Sequence, residues 1–328
     1  MFGKSKKVIN LVIEDYVVRL LETPKKSLSP ITLLHEEPLP IGMIDNGKIV
    51  DEMGLFELMK KLVKDLGIKK RQVRFYVPNA MILIREVKLP SDLKEKEMKE
   101  YIEFEIGQSI HLPFNNPVFD LDYQLSKDES SDKRKGMLYA APKEEMMKYA
   151  EILADASLKP MEADVTALGL YRYFSNIYNA ENENVYLFLQ LNTDSLNVSI
   201  FNNHKLEFMR FQDLDVHLTG WKIDEELDEI IWEYKQDKDH LIQLFEDQIV
   251  ELDRIINFYQ TSMKQGKKSV SEILVLGDNP FLTEFYHQMK TQIDRPSRVL
   301  QGYISNIKDN EIGIQYIPAL GLALKGVE

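Results

Sequence analysis

The chain of 328 residues carries 53 acidic and 41 basic side chains, which gives a formal net charge of −12, and it contains no cysteine. The lack of cysteine excludes thiol catalysis, thiolate metal sites and a disulfide framework, and the acidic balance argues against nucleic-acid binding, which needs a positively charged face. No apolar stretch near either end is long enough for a signal peptide or a membrane-spanning helix, so we expect a cytoplasmic protein.

The first part of the chain predicts a three-stranded meander, a helix and a further strand. Apolar runs separated by the turn Glu14-Asp15 and by a proline-bounded loop indicate the meander. Apolar residues at helical spacing indicate the helix, with Gly67 just beyond it as a C-cap. The predicted elements are strands at 8–13, 16–21 and 31–34, a helix at 55–66 and a strand at 72–77.

The second half repeats this order without repeating the sequence. Strands are predicted at 185–189, 196–200, 206–211 and 273–276, and a long helical region at 223–270. Its acidic stretch 224–239 is interpreted as an exposed helix, with an interaction face as the alternative. A meander, helix, strand and helix that occurs twice is the plan of the actin-like fold, in which two ribonuclease-H-like domains are joined in one chain. Other α/β layouts share this order.

A segment between the halves, 81–161, does not fit the repeat. It predicts a small inserted α+β unit, with a helix at 91–108, strands at 118–125 and 137–141, a charged hairpin loop at 126–136, and a second helix that begins with Pro142. Met146 and Met147 are predicted on the inward face of that second helix. Methionine side chains adapt to irregular partners, so these two would also suit a peptide groove.

Motifs in a fixed order along most of the chain resemble the PilM family, the actin-like cytoplasmic proteins of type IV pilus assembly, whose fold is similar to that of the division protein FtsA. The motifs are Lys88-Leu89-Pro90, Ile102-Glu103-Phe104-Glu105, His111-Leu112-Pro113-Phe114, Asp122-Tyr123, Ala163-Asp164-Val165-Thr166, Asp253-Arg254-Ile255-Ile256-Asn257-Phe258-Tyr259 and Ala319-Leu320-Gly321-Leu322. The resemblance implies a first actin-like domain at 1–80, 162–182 and 317–328, an inserted subdomain at 81–161, and a second actin-like domain at 183–222 and 271–316 whose helical part is 223–270.

The loops that bind nucleotide in actin-like ATPases are altered in this chain. Those proteins use Asp-x-Gly at the first turn of each meander, because glycine lets backbone N–H groups approach the phosphates and the aspartate organises the water around magnesium. The first turn matches at 12–16, where valine replaces the aspartate and glutamate replaces the glycine. The second turn matches at 190–195, where Asp-x-Gly has become Gln-x-Asn, and the adenosine loop at 276–280 keeps a single glycine.

The altered loops predict weak or absent nucleotide binding. A lost hydrogen bond to a charged group costs about 1.5–3 kcal/mol, and about 1.4 kcal/mol is a tenfold change in affinity, so two altered loops predict an affinity lower by about a hundredfold or more. Glycine is also scarce, with 15 residues where an average composition would give about 23. We therefore expect no cofactor and no catalytic residue. The positions concerned are Glu14, Asp15, Asn192, Thr193, Ser195 and Gly277.

One alternative retains a metal ion. If the first turn is shifted, Glu14 or Asp15 would reach magnesium, and ATP with Mg would still bind. None of the six histidines lies within five residues of another, so the sequence predicts no local pair of metal ligands.

The resemblance implies an assembly role in which the chain binds the cytoplasmic N-terminal tail of a PilN-like inner-membrane protein, in a groove between the first domain and the insert. Such a scaffold would sit peripherally at the inner membrane, with other pilus-platform proteins and a homo-oligomer as further partners. The groove residues we expect are Ile82, Leu83, Ile84, Leu112, Pro113 and Phe114, for each of which core packing is the other interpretation.

Three other functions share this fold. An active ATP-dependent PilM-like switch is the nearest, and nucleotide binding distinguishes it from a scaffold. An FtsA-like division protein is the next, but members of that family usually end in a membrane helix, whereas this chain stops soon after its closing helix. The altered phosphate loops argue against a sugar kinase.

Overall fold

The fold contains two five-stranded sheets with the same layout. A computed structural model describes residues 7–25, 27–90, 92–123, 133–216, 218–226, 229–304 and 311–326. The strands are β1 Lys7–Ile13, β2 Val17–Pro24, β3 Leu33–Pro38, β4 Ile44–Asp45, β5 Lys48–Ile49, β6 Gln72–Tyr76, β7 Leu83–Pro90, β8 Pro117–Tyr123, β9 Lys133–Pro142, β10 Lys159–Asp164, β11 Val185–Leu191, β12 Ser195–Asn202, β13 Lys205–Asp213, β14 Trp221–Glu226, β15 Glu229–Tyr234, β16 Glu272–Leu276, β17 Ser297–Val299, β18 Gly302–Tyr303 and β19 Glu311–Ile312.

Seven α-helices occur in the described residues. They are α1 Glu52–Asp65, α2 Glu95–Glu105, α3 Lys143–Asp155, α4 Thr166–Tyr178, α5 Lys238–Phe258, α6 Leu282–Gln292 and α7 Ile317–Ala323. Short 3-10 turns at Leu218–Gly220 and Ile314–Tyr316 and a π-helical turn at Tyr259–Met263 complete the helical structure. None of these helices combines the length and the apolar character that crossing a membrane requires.

The two large sheets repeat one topology, as the sequence predicts. The first has the order β10-β6-β1-β2-β3 and the second β13-β12-β11-β16-β17. In each, an antiparallel meander is extended by two parallel strands on the side of its first strand. β11 and β12 are buried along their whole length, because other elements cover both faces of the second sheet.

Helices α4 and α7 pack between the two sheets. Their apolar residues share one buried cluster with side chains of both sheets, among them Val12 of β1 and Leu274 of β16. Gly321 makes the close crossing of the two helices possible, since a Cβ there would lie 2.2 Å from the backbone oxygen of Gly169. The ends of β1 and β11 therefore face each other across a cleft between the two domains.

The insert differs in detail from the prediction. Its sheet has three strands in the order β7-β9-β8, because the run that follows Met81 pairs with β9 as a full strand instead of leading straight into the helix. α2 is shorter than the predicted 91–108, and the predicted loop at 126–136 lies for the most part outside the described residues. The apolar side chains of α2 and of the three strands form a small core of their own.

Helix α3, which the sequence analysis assigns to the insert, packs against the first domain. Its residues Met146, Tyr149 and Leu153 lie in the same cluster as Leu55 and Met59 of α1. The prediction that Met147 points inward is wrong, because this side chain is 47% exposed. Strand β10, which begins at Lys159, already pairs with β6 in the first sheet.

Three further segments correct the sequence analysis. Most of the acidic stretch predicted as an exposed helix belongs to the hairpin of β14 and β15, and the helical structure begins with α5 and continues in the π-helical turn. Trp221, Trp232 and Tyr234 are buried on one side of this hairpin, and their alternation outweighs the helix-favouring acidic residues. The third strand begins and ends later than predicted. A hairpin of β4 and β5, turned by Asn46-Gly47 with positive φ at both residues, was not predicted.

Candidate functional site

The first candidate site is the cleft between the domains, where the turn from β1 to β2 meets the second domain. The N–H of Glu14 donates to the Val17 carbonyl at 2.9 Å and closes the turn. Tyr16 follows with no exposed surface and lies in the buried cluster of the second domain. Its ring packs edge-on against Trp232 of β15, with the ring centroids 5.1 Å apart. The turn therefore inserts an aromatic ring into the opposite domain.

The second turn, between β11 and β12, is buried as well. Asn192, Thr193 and Ser195 have at most 4% exposure, and the N–H of Asn192 donates to the Ser195 carbonyl at 2.8 Å. Within the described part of the chain, Asn192 Nδ2 and Thr193 Oγ1 have no hydrogen-bond partner. The Thr193 hydroxyl is therefore buried without a partner among the described residues.

The loop after β16 lies directly on the second turn. Gly277 has a φ of +135°, and a Cβ there would lie 1.8 Å from the backbone oxygen of Leu191, so only glycine fits. Asn279 donates from Nδ2 to the Asn192 carbonyl at 2.9 Å and from its N–H to the Leu191 carbonyl at 3.3 Å. The surviving glycine of this loop thus serves contact between two backbone segments.

Asp278 is the centre of a cluster of hydrogen bonds that joins the start of the first sheet to the second domain. Tyr16 Oη lies 2.6 Å from each of its carboxylate oxygens, and Arg19 Nη1 lies 2.7 Å from Oδ2. The N–H of Thr193 donates to Oδ1 at 3.2 Å and lies 3.3 Å from Tyr16 Oη. Arg19 also contacts Glu36 through Nε at 2.6 Å. All of these groups are inaccessible or nearly so, and charge-assisted hydrogen bonds of this kind are among the stronger ones.

The charges in this cluster stabilise the protonated forms of both Arg19 and Tyr16. Burial opposes the charged form of Arg19, but Asp278 and Glu36 outweigh it and raise the pKa of the guanidinium. Burial, followed by the charges of Asp278 and Asp194, raises the pKa of the Tyr16 hydroxyl well above its ordinary value. Arg19 is therefore a permanent cation here and Tyr16 a neutral donor.

Beside this cluster lies a cavity of about 340 Å³. The described residues that line it include six carboxyl side chains and no lysine or arginine: Glu14, Asp15, Asp45, Asp194, Asp213 and Asp215. The N–H of Gly47, in the β4–β5 hairpin, donates to Asp15 Oδ1 at 3.0 Å. A cavity with this lining is electrostatically unfavourable for a phosphate group.

The three carboxyls nearest the turns have raised pKa values. Burial is the largest cause for each. It raises the pKa of Glu14 well above the ordinary range, together with the charges of Asp194 and Asp278. It raises the pKa of Asp15 to about 6 and that of Asp194, which also faces Asp15, to about 8. Crowded carboxyls of this kind hold protons near neutral pH. Among the residues described, no group of three or more acidic or histidine side chains is arranged to hold a metal ion.

The second candidate site is a groove of about 910 Å³ between the insert and the first domain, which we call the insert groove. Strand β8 lies along one wall and strand β10 along the other. Its apolar lining includes Val118, Phe119, Tyr139, Met146 and Met147. Lysine and aspartate side chains also line it, among them Lys99, Lys143, Asp120 and Asp122.

Of the six residues expected in a groove, only Ile82 lines this one. Leu83 and Ile84 follow it in β7, where they pair with β9. Leu112 packs on the small core of the insert, Pro113 is exposed and Phe114 is partly buried. Most other residues that line the groove lie on β8, β10 and α3, and the sequence signals for them are Met147 and the alternating pattern of β8.

Comparison with known proteins places this geometry in context. The family model described as type IV pilus assembly protein PilM matches residues 13–327. A solved structure of a PilM–PilN type IV pilus biogenesis complex is similar over 99% of this chain and 100% of that chain, with 18% identity and a TM-score of 0.77.

More distant structures share the fold. The ethanolamine utilization protein EutJ from Carboxydothermus hydrogenoformans has 10% identity and a TM-score of 0.51, over 98% of this chain and 91% of that one. The cytoplasmic domain of EpsL, an inner membrane component of the type II secretion system of Vibrio cholerae, has 8% identity and a TM-score of 0.51, over 98% and 97%. These likenesses confirm the predicted actin-like fold, and the match over nearly the whole chain shows that it belongs to the PilM family of type IV pilus assembly proteins.

Proposed function

We propose that this chain is a cytoplasmic scaffold of a type IV pilus-like machine and that it binds the N-terminal cytoplasmic tail of a PilN-like inner-membrane protein in the insert groove. The family assignment and the similarity to a PilM–PilN complex support the partner. The observation that carries the proposal is the groove itself, which has an apolar floor and two strand edges along its walls. Through this partner the chain would be held at the inner face of the cell membrane.

The strand edges explain how an extended tail would bind. β8 is the last strand of the insert sheet and β10 the last strand of the first sheet, and within the described residues neither has a further strand beside it. Such an edge presents unpaired backbone N–H and C=O groups, to which an extended peptide can add as another strand. Main-chain hydrogen bonds would supply affinity, and the apolar floor would select the side chains.

Exposed apolar side chains in the groove support a partner on this surface. Val118 is 45% exposed and Met147 is 47% exposed, although both line a concave surface where solvent contact is unfavourable. A methionine at this place adapts to the partner's side chains. The mixed charges of the rim would fix the orientation of the tail.

Substitution of Met147 tests the proposal. We expect Met147→Glu to weaken binding of a synthetic PilN-like tail peptide at least about tenfold, because an apolar contact is lost and a charge enters the apolar groove; a tenfold loss is about 1.4 kcal/mol. Met53→Glu is the matched control, since Met53 also lies near the start of a helix and is 68% exposed outside the groove. Isothermal titration calorimetry measures both. Equal affinities of the two variants, or no binding by the unaltered chain, would contradict the proposal.

We also propose that Mg-ATP is not a cofactor of this chain. The N–H of Thr193 is already taken by Asp278 and Tyr16, the ring of Tyr16 fills the space between the domains, and carboxyls line the adjoining cavity. These groups do not fit a triphosphate. The test is a calorimetric titration with Mg-ATP, for which we expect no saturable binding up to millimolar nucleotide. Micromolar binding that Asn192→Arg abolishes would instead favour an active ATP-dependent switch.

The scaffold proposal includes two further kinds of partner: other pilus-platform proteins and a second copy of this chain. Analytical sedimentation of the free chain tests the self-association.

A further inference from the structure

The cluster around Asp278 has the composition of an anion-binding site. It brings together a backbone N–H, a hydroxyl and a guanidinium, three donors that recur where proteins hold phosphate or carboxylate. All three contact the same group, the carboxylate of Asp278, at 2.6 to 3.2 Å. The anion of this site is therefore part of the chain.

The members of the cluster come from both domains. Tyr16 and Arg19 belong to the start of the first sheet, whereas Thr193 and Asp278 belong to turns at the end of the second. Arg19 is held from its own side by Glu36 of β3 at 2.6 Å, and Asp278 sits between Gly277 and Asn279, which lie on the backbone of the second turn. Each half of the contact is thus fixed in its own domain.

We propose that Asp278 acts as a built-in anion that latches the two domains together, so that the cleft is closed without any nucleotide. In a fold whose domains would otherwise be joined by a ligand between them, an internal carboxylate keeps the relative orientation of the domains constant. This inference rests on the proposed function only in taking Mg-ATP not to be a cofactor.

The latch also accounts for residues that nucleotide binding leaves unexplained. Arg19 and Glu22 are the two charged residues of β2, and both are buried; burying Arg19 is costly unless it is paired. Tyr16 places a bulky ring at the first turn, and both parts of its side chain are used: the hydroxyl contacts Asp278 and the ring packs on Trp232.

Distance measurements between the domains test the latch. Because the chain has no cysteine, Lys64→Cys on α1 and Glu246→Cys on α5, both at exposed positions, accept spin labels without further substitution. We expect the labelled chain to give one narrow distance distribution that Mg-ATP leaves unchanged. With Asp278→Ala added, the mean distance should lengthen and the distribution broaden, and excess formate, which matches the removed carboxylate, should restore the narrow form.

A matched control separates the latch from a general loss of stability. Glu207 accepts hydrogen bonds from Tyr259 Oη at 2.6 Å and from Lys264 Nζ at 2.6 Å, within the second domain, so Glu207→Gln disturbs a similar cluster that does not cross the cleft. Its distribution should match that of the unaltered chain. The milder Tyr16→Phe keeps the ring and removes only the hydroxyl, and it should broaden the distribution even if Asp278→Ala fails to fold.

Hydrogen exchange gives a second, local measurement. The N–H of Thr193 should exchange at least about tenfold faster in Tyr16→Phe than in Glu207→Gln, as expected for the loss of one hydrogen bond in a charged cluster. The latch is refuted if the unaltered chain already shows a broad distribution, if Asp278→Ala and Tyr16→Phe leave it narrow, or if formate has no effect on Asp278→Ala. None of these results depends on tail binding at the insert groove, which calorimetry measures separately.

Discussion

The raised pKa of Asp194 predicts how stability depends on pH. Burial and the nearby Asp15 raise this pKa from 3.8 to about 8. Between these two values the native state keeps a proton on Asp194 that the unfolded chain has lost, so raising the pH favours unfolding. One unit of pKa difference is 1.36 kcal/mol, and the native carboxyl is mostly protonated from pH 6 to just below pH 8. The free energy of unfolding should therefore fall by about 2 kcal/mol across this range.

Asp194→Asn removes the titrating proton and keeps the shape of the side chain. We expect its free energy of unfolding to fall clearly less between pH 6 and pH 8, also because Asp194 is one of the charges that raise the pKa of Glu14. Urea titrations at constant ionic strength, followed by tryptophan fluorescence, measure this change. The chain has two tryptophans, Trp221 and Trp232, and both lie in the cluster of the second domain, so the signal reports the unfolding of the domain that carries Asp194.

The control for this prediction is Asp215→Asn. Asp215 lines the same cavity but is exposed, and its φ of +54° suits asparagine, so the variant makes the same change in net charge without strain. It should keep the pH dependence of the unaltered chain. If Asp194→Asn and the unaltered chain lose stability in parallel between pH 6 and pH 8, Asp194 does not hold the proton and the reasoning fails.

Substitution of either of two glycines, Gly277 and Gly321, should cause a large loss of stability. Gly277→Ala places a Cβ 1.8 Å from the Leu191 backbone oxygen at a φ of +135°, and Gly321→Ala places one 2.2 Å from the Gly169 backbone oxygen. Because backbone cannot move aside as a side chain does, each variant should lose at least about 2 kcal/mol of unfolding free energy in urea titrations. Gly42→Ala has no atom within 4 Å and only the strain of φ +84°, so it should lose about 1 kcal/mol. Equal losses at Gly42 and Gly277 would show that the close contact carries no cost.

Most strands of the two large sheets follow from the sequence. Runs of buried residues bounded by turns are a local signal, and the order of elements repeats in both halves. The β14–β15 hairpin was missed because its acidic residues favour a helix in isolation, whereas burial of Trp221, Trp232 and Tyr234 decides the strand. Here the burial of the aromatic side chains in the core outweighs the helix preference of the neighbouring acidic residues.

Only the structure shows which core the helix α3 packs against. The sequence shows that α3 has an apolar face, but it does not show which core covers that face, and the structure packs it against α1. For the same reason, an apolar run such as 82–84 contributes to packing or to a binding surface according to what lies opposite. Only Ile82 lines the groove.

The sequence by itself determined the actin-like plan, the likeness to PilM and the positions of the altered turns, because turn residues and strand patterns act over a few neighbouring positions. It contained Asp278 and Arg19 without assigning them a role. Tyr16 and Asp278 are 262 positions apart, and no local pattern relates them. Only the packing of the two domains brings the hydroxyl, the guanidinium and the N–H of Thr193 onto one carboxylate, since hydrogen bonds form only where tertiary structure places both partners within about 3 Å.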